Sequence, residues 1–79
     1  MISQEHLIFK NDILAERMKK NYSQNQLAKA IGIRRDQLSI IENGHRLPTS
    51  EILTKIKEEL GCLTDELYSK DLQKIIFKK

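Results

Sequence analysis

The sequence predicts an all-α domain built from five short helices. Leu and Ile recur at helical spacing through most of the chain, and strand-like alternation is confined to its two ends. Only three glycines and one proline punctuate 79 residues, which are rich in Leu, Ile, Lys, Glu and Gln. Helix-start signatures stand ahead of the apolar runs, Ser23 with Gln26 three residues on, and Thr49 with Glu51 in the turn it opens. A chain of this length makes one domain with a small core. Its four aromatic residues, Phe9, Tyr22, Tyr68 and Phe77, leave that core to Ile and Leu.

In chain order, Leu7-Ile8-Phe9 reads either as a short strand or as an N-terminal extension of the first helix. The first helix is expected from a cap at Asn11 to Lys20, with Ile13, Leu14 and Met18 as its buried stripe. Lys19 and Lys20 suit the negative end of the helix dipole, and Asn21 tolerates a left-handed exit. The capping box starts the second helix at Ser23, and it runs to about Ile31. Gly32 turns the chain. A third helix spans about Arg35 to Asn43 and stops at Gly44. Thr49 opens the fourth, whose face is Ile52, Leu53, Ile56 and Leu60, and Gly61 ends it. Thr64-Asp65-Glu66 starts a fifth, with Leu67, Tyr68, Leu72, Ile75 and Ile76 along its stripe. Lys74 to Lys78 also alternates well enough for a strand, and the pattern does not separate the two. The chain thus divides into a terminal arm or helix extension over 1–10, a globular domain over 11–69 and a tail over 70–79.

Composition narrows the function. The net charge of +3 permits a nucleic-acid partner without requiring one. The lone Cys62 forms no internal disulfide and no cysteine metal site; it reads as a small apolar core residue in a reducing cytoplasm. No run of about 18 apolar residues predicts a membrane span. The first six residues lack the basic and apolar regions of a secretion signal. The two histidines, His6 and His45, lie far apart, and there is no phosphate-binding glycine loop, metal-ligand spacing or nucleophile motif. Neither an enzyme nor a cofactor is expected.

Residues 24 to 43 carry the functional signal. Leu27, Ala28 and Ile31 share one helical face, and Ile33, Leu38 and Ile41 would pin the next helix to the core. That leaves Arg34, Arg35, Asp36, Gln37, Ser39, Ile40 and Asn43 facing out. An outward face on the second helix of such a pair suits the major groove of DNA. Arg34 and Arg35 stand where a helix start prefers a small polar cap and negative charge, and such violations tend to mark functional sites. The base-reading candidates are Arg34, Arg35, Asp36, Gln37 and Ile40. Asp36 either accepts from cytosine N4 or balances the helix dipole. The phosphate candidates are Ser23, Gln24, Ser39, Asn43, His45 and Arg46.

Four pieces in order, Ser23 to Ile33, Leu38 to Gly44, Arg46 with Pro48, and Leu60-Gly61 followed by Asp65-Glu66-Leu67, resemble the Cro and lambda-repressor group of helix-turn-helix regulators, the XRE family. The resemblance covers roughly Ile13 to Tyr68. It implies a five-helix domain on operator DNA, commonly as a two-fold dimer, acting as a transcriptional regulator and most simply as a repressor. By position it implies a phosphate contact at Gln24, base edges before Arg34, Arg35, Asp36 and Ile40, and a backbone grip from Asn43 to Arg46. The sequence departs from the family in placing Arg34 at the usual Ser or Thr cap and Ile40 at a commonly polar position. Leu72, Ile75, Ile76 and Phe77 are the dimerisation candidates, the alternative being packing within their own subunit. The rival reading is an antitoxin or antirepressor that uses the same fold to hold a protein partner.

Overall fold

The computed structural model describes residues 8–78. Within them the chain forms α1 (Ile13–Lys19), α2 (Gln24–Ile31), α3 (Arg35–Glu42), α4 (Ser50–Leu60), a 3-10 turn (Thr64–Glu66) and α5 (Lys70–Ile76), with no strand among the described residues. The expectation for Leu7 and the residues before it lies outside this range. Ile8 to Asp12 carry no helix; Phe9 N–H donates to Gly44 O at 2.8 Å, and Asp12 N–H to Leu67 O at 3.1 Å. This segment is strung between the end of α3 and the turn after α4.

The caps fall largely where side-chain chemistry puts them. Ser23 Oγ accepts from Gln26 N at 3.0 Å while Gln26 Oε1 accepts from Ser23 N at 2.8 Å, a closed capping box. Thr49 Oγ1 accepts from Ile52 N at 3.1 Å. Asn21 takes the left-handed exit, φ 61°, after α1. Gly32 ends α2 at φ 81°, a conformation that would strain any side chain. At Gly44, also φ 81°, a Cβ would come within 2.5 Å of Ile8 Cγ2 and 3.1 Å of the Phe9 backbone, so glycine is required sterically as well.

Eleven residues form the core: Ile13, Leu27, Ala28, Ile31, Leu38, Ile41, Leu53, Ile56, Leu60, Leu67 and Tyr68. Each fully buried Leu or Ile contributes about 1.5–3 kcal/mol, and the aliphatic composition predicted for this core holds. Cys62 sits half-buried against it, and burial pushes its thiol above the ordinary range.

Three expectations are corrected. The buried stripe of α1 is Ile13, Glu16 and Arg17, whereas Leu14 is 51% and Met18 64% exposed. The helix is rotated so that Arg17 faces an acidic partner, described below, and a charge that finds one can hold an interior position. The helix itself begins at Ile13, with Asn11 Oδ1 accepting from Ile13 N at 3.0 Å as an early cap. The fifth helix does not run on from Thr64. The 3-10 turn closes there, Leu67 and Tyr68 drop into the core, and Ser69 Oγ accepts from Leu72 N at 3.3 Å to start α5 afresh. The tail is helical, which resolves the ambiguity over Lys74 to Phe77 in favour of helix up to Ile76.

Candidate nucleic-acid interface

Helices α2 and α3 are joined by Gly32-Ile33-Arg34, and Ile33 N–H returns to Ala28 O at 3.0 Å to close the turn. Leu38 is fully buried and Ile41 nearly so, which fixes the rotation of α3 about its axis. Arg34, Arg35 and Asp36 are thereby exposed, while Gln37, Ser39 and Ile40 are half-buried at the margin. Gln37, Ser39 and Ile40, expected to face out with the arginines, are thus partly covered.

The start of α3 is held by its own side chains. Arg34 occupies the cap position with an extended backbone and cannot accept a hydrogen bond there. Gln37 Oε1 instead accepts from Arg34 N at 3.0 Å, half of a capping box. Arg34 Nε and Nη2 donate to Asp36 Oδ1 and Oδ2 at 3.0 and 3.3 Å. The Arg34 guanidinium holds the Asp36 carboxyl below the usual carboxylate range, and Asp36 raises Arg34 in return. Both side chains are largely exposed, so solvent screens the pair and it adds little to stability.

Arg35 is tied differently. Its Nη1 donates to Gln24 Oε1 at 3.3 Å, and Gln24 Nε2 donates to Glu42 Oε1 at 3.0 Å. Glu42 in turn accepts from Arg17 Nε at 2.8 Å and Nη2 at 3.0 Å. The Arg17 and Glu42 side chains are only 9% and 4% exposed. Arg17 Nη1 also donates to Tyr22 O at 3.0 Å. A buried bidentate ion pair therefore anchors the first residue of α2, and through it the first residue of α3. The fork geometry leaves few donors of Arg17 unsatisfied, as a buried guanidinium needs.

The remaining candidates lie along the same stretch or just beyond it. Ser23 is spent on its capping box, and its neighbour Gln24 uses both ends of its amide inside the protein. Asn43 Nδ2 reaches Ser39 Oγ at 3.4 Å on the last turn of α3. His45 and Arg46 are exposed in the loop that follows. The structure thus brings Ser23, Gln24, Arg34, Arg35 and Asp36 to the adjoining starts of two helices, with Asn43, His45 and Arg46 at the far end of α3. Leu72, Ile75, Ile76 and Phe77 sit apart, on α5 and its end. Leu72 and Ile76 rest half-buried on the core, while Ile75 is 56% and Phe77 39% exposed.

Three supporting roles escaped the sequence reading, those of Arg17 and Glu42 and that of Asn11 toward α3, beyond the cap of α1 expected of it. Arg17 and Glu42 were hidden because a charge on an apolar stripe reads as a solvated one; the signal was that Arg17 stands four residues from Ile13, on its face. The third is Asn11, whose Nδ2 donates to Ile41 O at 3.1 Å and Glu42 O at 3.4 Å. It adds a second donor to Ile41 O, which already accepts from Gly44 N at 3.0 Å, and reaches the neighbouring Glu42 carbonyl at the C-terminal end of α3. Nothing local announces a cap supplied from 30 residues away. Among the described residues no cluster of His, Cys, Asp and Glu is placed to hold a metal, and no helix is long and apolar enough to cross a membrane.

A family model described as helix-turn-helix matches residues 13–67. The chain is 42% identical over 55 residues to the HTH-type transcriptional regulator YazB of Bacillus subtilis strain 168, covering 70% of this chain and 80% of that protein. It is 44% identical over 41 residues to the ImmF control region 10 kDa protein of Bacillus phage phi105, covering 52% of this chain and 46% of the phage protein. The crystal structure of the clp gene regulator ClgR from C. glutamicum superposes with a TM-score of 0.60 at 27% identity, over 65% of this chain and 66% of that one.

Proposed function

Since the chain belongs to the helix-turn-helix family of XRE-type DNA-binding transcriptional regulators, we propose that it is a repressor that reads an inverted-repeat operator in duplex DNA. The observation that carries this reading is the start of α3, where two exposed arginines are each held in place by an acceptor, Arg34 by Asp36 and Arg35 by Gln24. In a major groove, this end and outer face of α3 would bring Arg34, Arg35, Asp36, Gln37 and Ile40 toward base edges. Ile40, half-buried, offers its outer methyl surface to a thymine methyl. The backbone would be gripped from both sides, by the α2 start at Ser23 and Gln24 and by Ser39, Asn43, His45 and Arg46. A phosphate at α2 would displace Arg35 or Glu42 from Gln24, or use main-chain N–H groups beside it.

One helix in one groove is a small interface, and specific affinity normally takes two half-sites. The second subunit would join through the exposed Ile75 and Phe77, with Leu72 and Ile76 anchoring α5 to its own core. The setting is the bacterial cytoplasm, the genome being that of the host or a phage.

A protein partner is the second reading, favoured by Leu14 and Met18, exposed four residues apart on one side of α1. A gel shift separates the two. The full chain should retard a duplex carrying its own promoter region in preference to an unrelated duplex of equal length. Equal retardation of both, or of neither, would replace the repressor reading with the partner reading.

A further inference from the structure

We propose that Asp36 is a positioning residue for Arg34, presenting that guanidinium to a guanine, and that Asp36 does not itself read a base. The inference rests on the operator-binding reading above and assigns one contact within it.

The geometry is particular to this helix start. Residues two apart within a helix do not face each other. Arg34 and Asp36 meet because Arg34 sits at the cap with φ −78° and ψ 154°, outside the helix, so its side chain folds back over the first turn. Nε and Nη2 are the donors used, at 3.0 and 3.3 Å. That occupies one edge of the guanidinium and leaves the Nη1–Nη2 fork free. The free fork is the pair of donors that matches O6 and N7 of guanine. Asp36 is fixed in turn, since its Oδ1 also accepts from Gln37 N at 3.1 Å, and Gln37 Oε1 holds Arg34 N. Three consecutive contacts thus favour one orientation of an arginine side chain that would otherwise be ordered only on binding.

Electrostatics supports the same assignment. A bare carboxylate at the groove-facing end of α3 would be repelled by phosphates. Paired with Arg34 its charge is neutralised. At an exposed position the pair contributes little to folding, so stability does not account for it. Asp36 Oδ1 accepts from both Arg34 Nε and Gln37 N, and Oδ2 accepts from Arg34 Nη2, so three of about four acceptor sites on the carboxylate are committed and both oxygens face Arg34 rather than a base.

The role predicts two effects of opposite sign. Asp36→Asn raises the net positive charge, so binding to a scrambled duplex should tighten. It also frees the Arg34 fork to wander, so preference for guanine at one position of each half-site should fall. The test measures binding of the full chain, Asp36→Asn, Arg34→Ala and the double variant to an operator selected from random duplex DNA with the unmodified chain, to its single-base variants and to a scrambled duplex of equal length. Arg34→Ala should lose guanine preference at one position by roughly five- to a hundredfold, the worth of a bidentate contact. Asp36→Asn should lose a large part of it at that same position, and the double variant should be no less selective than Arg34→Ala. Unchanged selectivity in Asp36→Asn would overturn the assignment, as would a loss at a different position that adds to that of Arg34→Ala. If the unmodified chain shows no base preference at any position, the operator-binding reading itself falls and this assignment with it.

Discussion

Glu42 accepts three hydrogen bonds, two from Arg17 and one from Gln24, and its side chain is 4% exposed. Glu42→Gln would leave the Arg17 charge without a counter-charge in a desolvated place, a loss of about 3–5 kcal/mol. Urea unfolding should show it as a lower midpoint at unchanged slope. Replacing both partners with apolar residues of similar volume, Arg17→Met with Glu42→Leu, should recover much of that stability while still impairing DNA binding, because Gln24 loses its anchor. Arg35 behaves in the opposite way. It places positive charge in the first turn, against the helix dipole, and is tied by a single hydrogen bond of 3.3 Å to the half-buried Gln24. Arg35→Ala should cost about 1–3 kcal/mol of binding on the preferred site and relax one position per half-site. Its melting temperature should stay the same or rise slightly. A variant that binds normally, or that unfolds, would remove Arg35 from the site.

At the scale of elements, α5 is held to the preceding turn by polar groups that respond to pH. Asp65 Oδ1 accepts from Gln73 Nε2 at 2.7 Å, and its Oδ2 pairs with Lys70 Nζ at 3.3 Å. The Gln73 hydrogen bond first, and Lys70 second, hold the Asp65 carboxyl below its ordinary 3.8. A depressed folded value means the tether is complete above pH 3.8 and is lost as the pH falls through the lower, folded value. Amide protection in α5 should therefore decline across that acid range, and Asp65→Asn should reduce this dependence. Protection that is flat across the range would show the tether to be idle. The boundaries of α2, α3 and α4 were legible because their caps are local, Ser23 with Gln26, Thr49 with Ile52, and the left-handed Gly32 and Gly61. The break before α5 was not, since Tyr68 continues the helical stripe in sequence but enters the core in space. The rotation of α1 was likewise set by Glu42, 25 residues on from Arg17. Elements whose ends are chosen by neighbours in sequence could be read, and those chosen by tertiary partners could not.

For the whole molecule, exposed Ile75 and Phe77 at the end of α5 argue for a second subunit, while Leu72 and Ile76 belong to the core of their own. Ile75→Glu with Phe77→Glu should give a folded monomer in sedimentation at micromolar concentration, where the proposed assembly requires the unmodified chain to sediment as a dimer. A double variant that still dimerises would move the interface elsewhere. A dimer whose subunits each engage three or four phosphates should lose affinity with salt at a log–log slope of roughly −5 to −7. Arg46→Ala should weaken every sequence alike and flatten that slope. The outward face of α3 was legible at this scale because Leu38 and Ile41 alone determine which side turns inward. The polar ties behind it were not, because Arg35, Gln24, Glu42 and Arg17 come from three different helices. Whether α3 reads duplex sequence is measured by selecting binding sites for the full chain from a random duplex pool. The expected outcome is an enriched inverted repeat with half-site centres one helical turn, roughly 34 Å, apart. A pool bound without enrichment of any motif would contradict it.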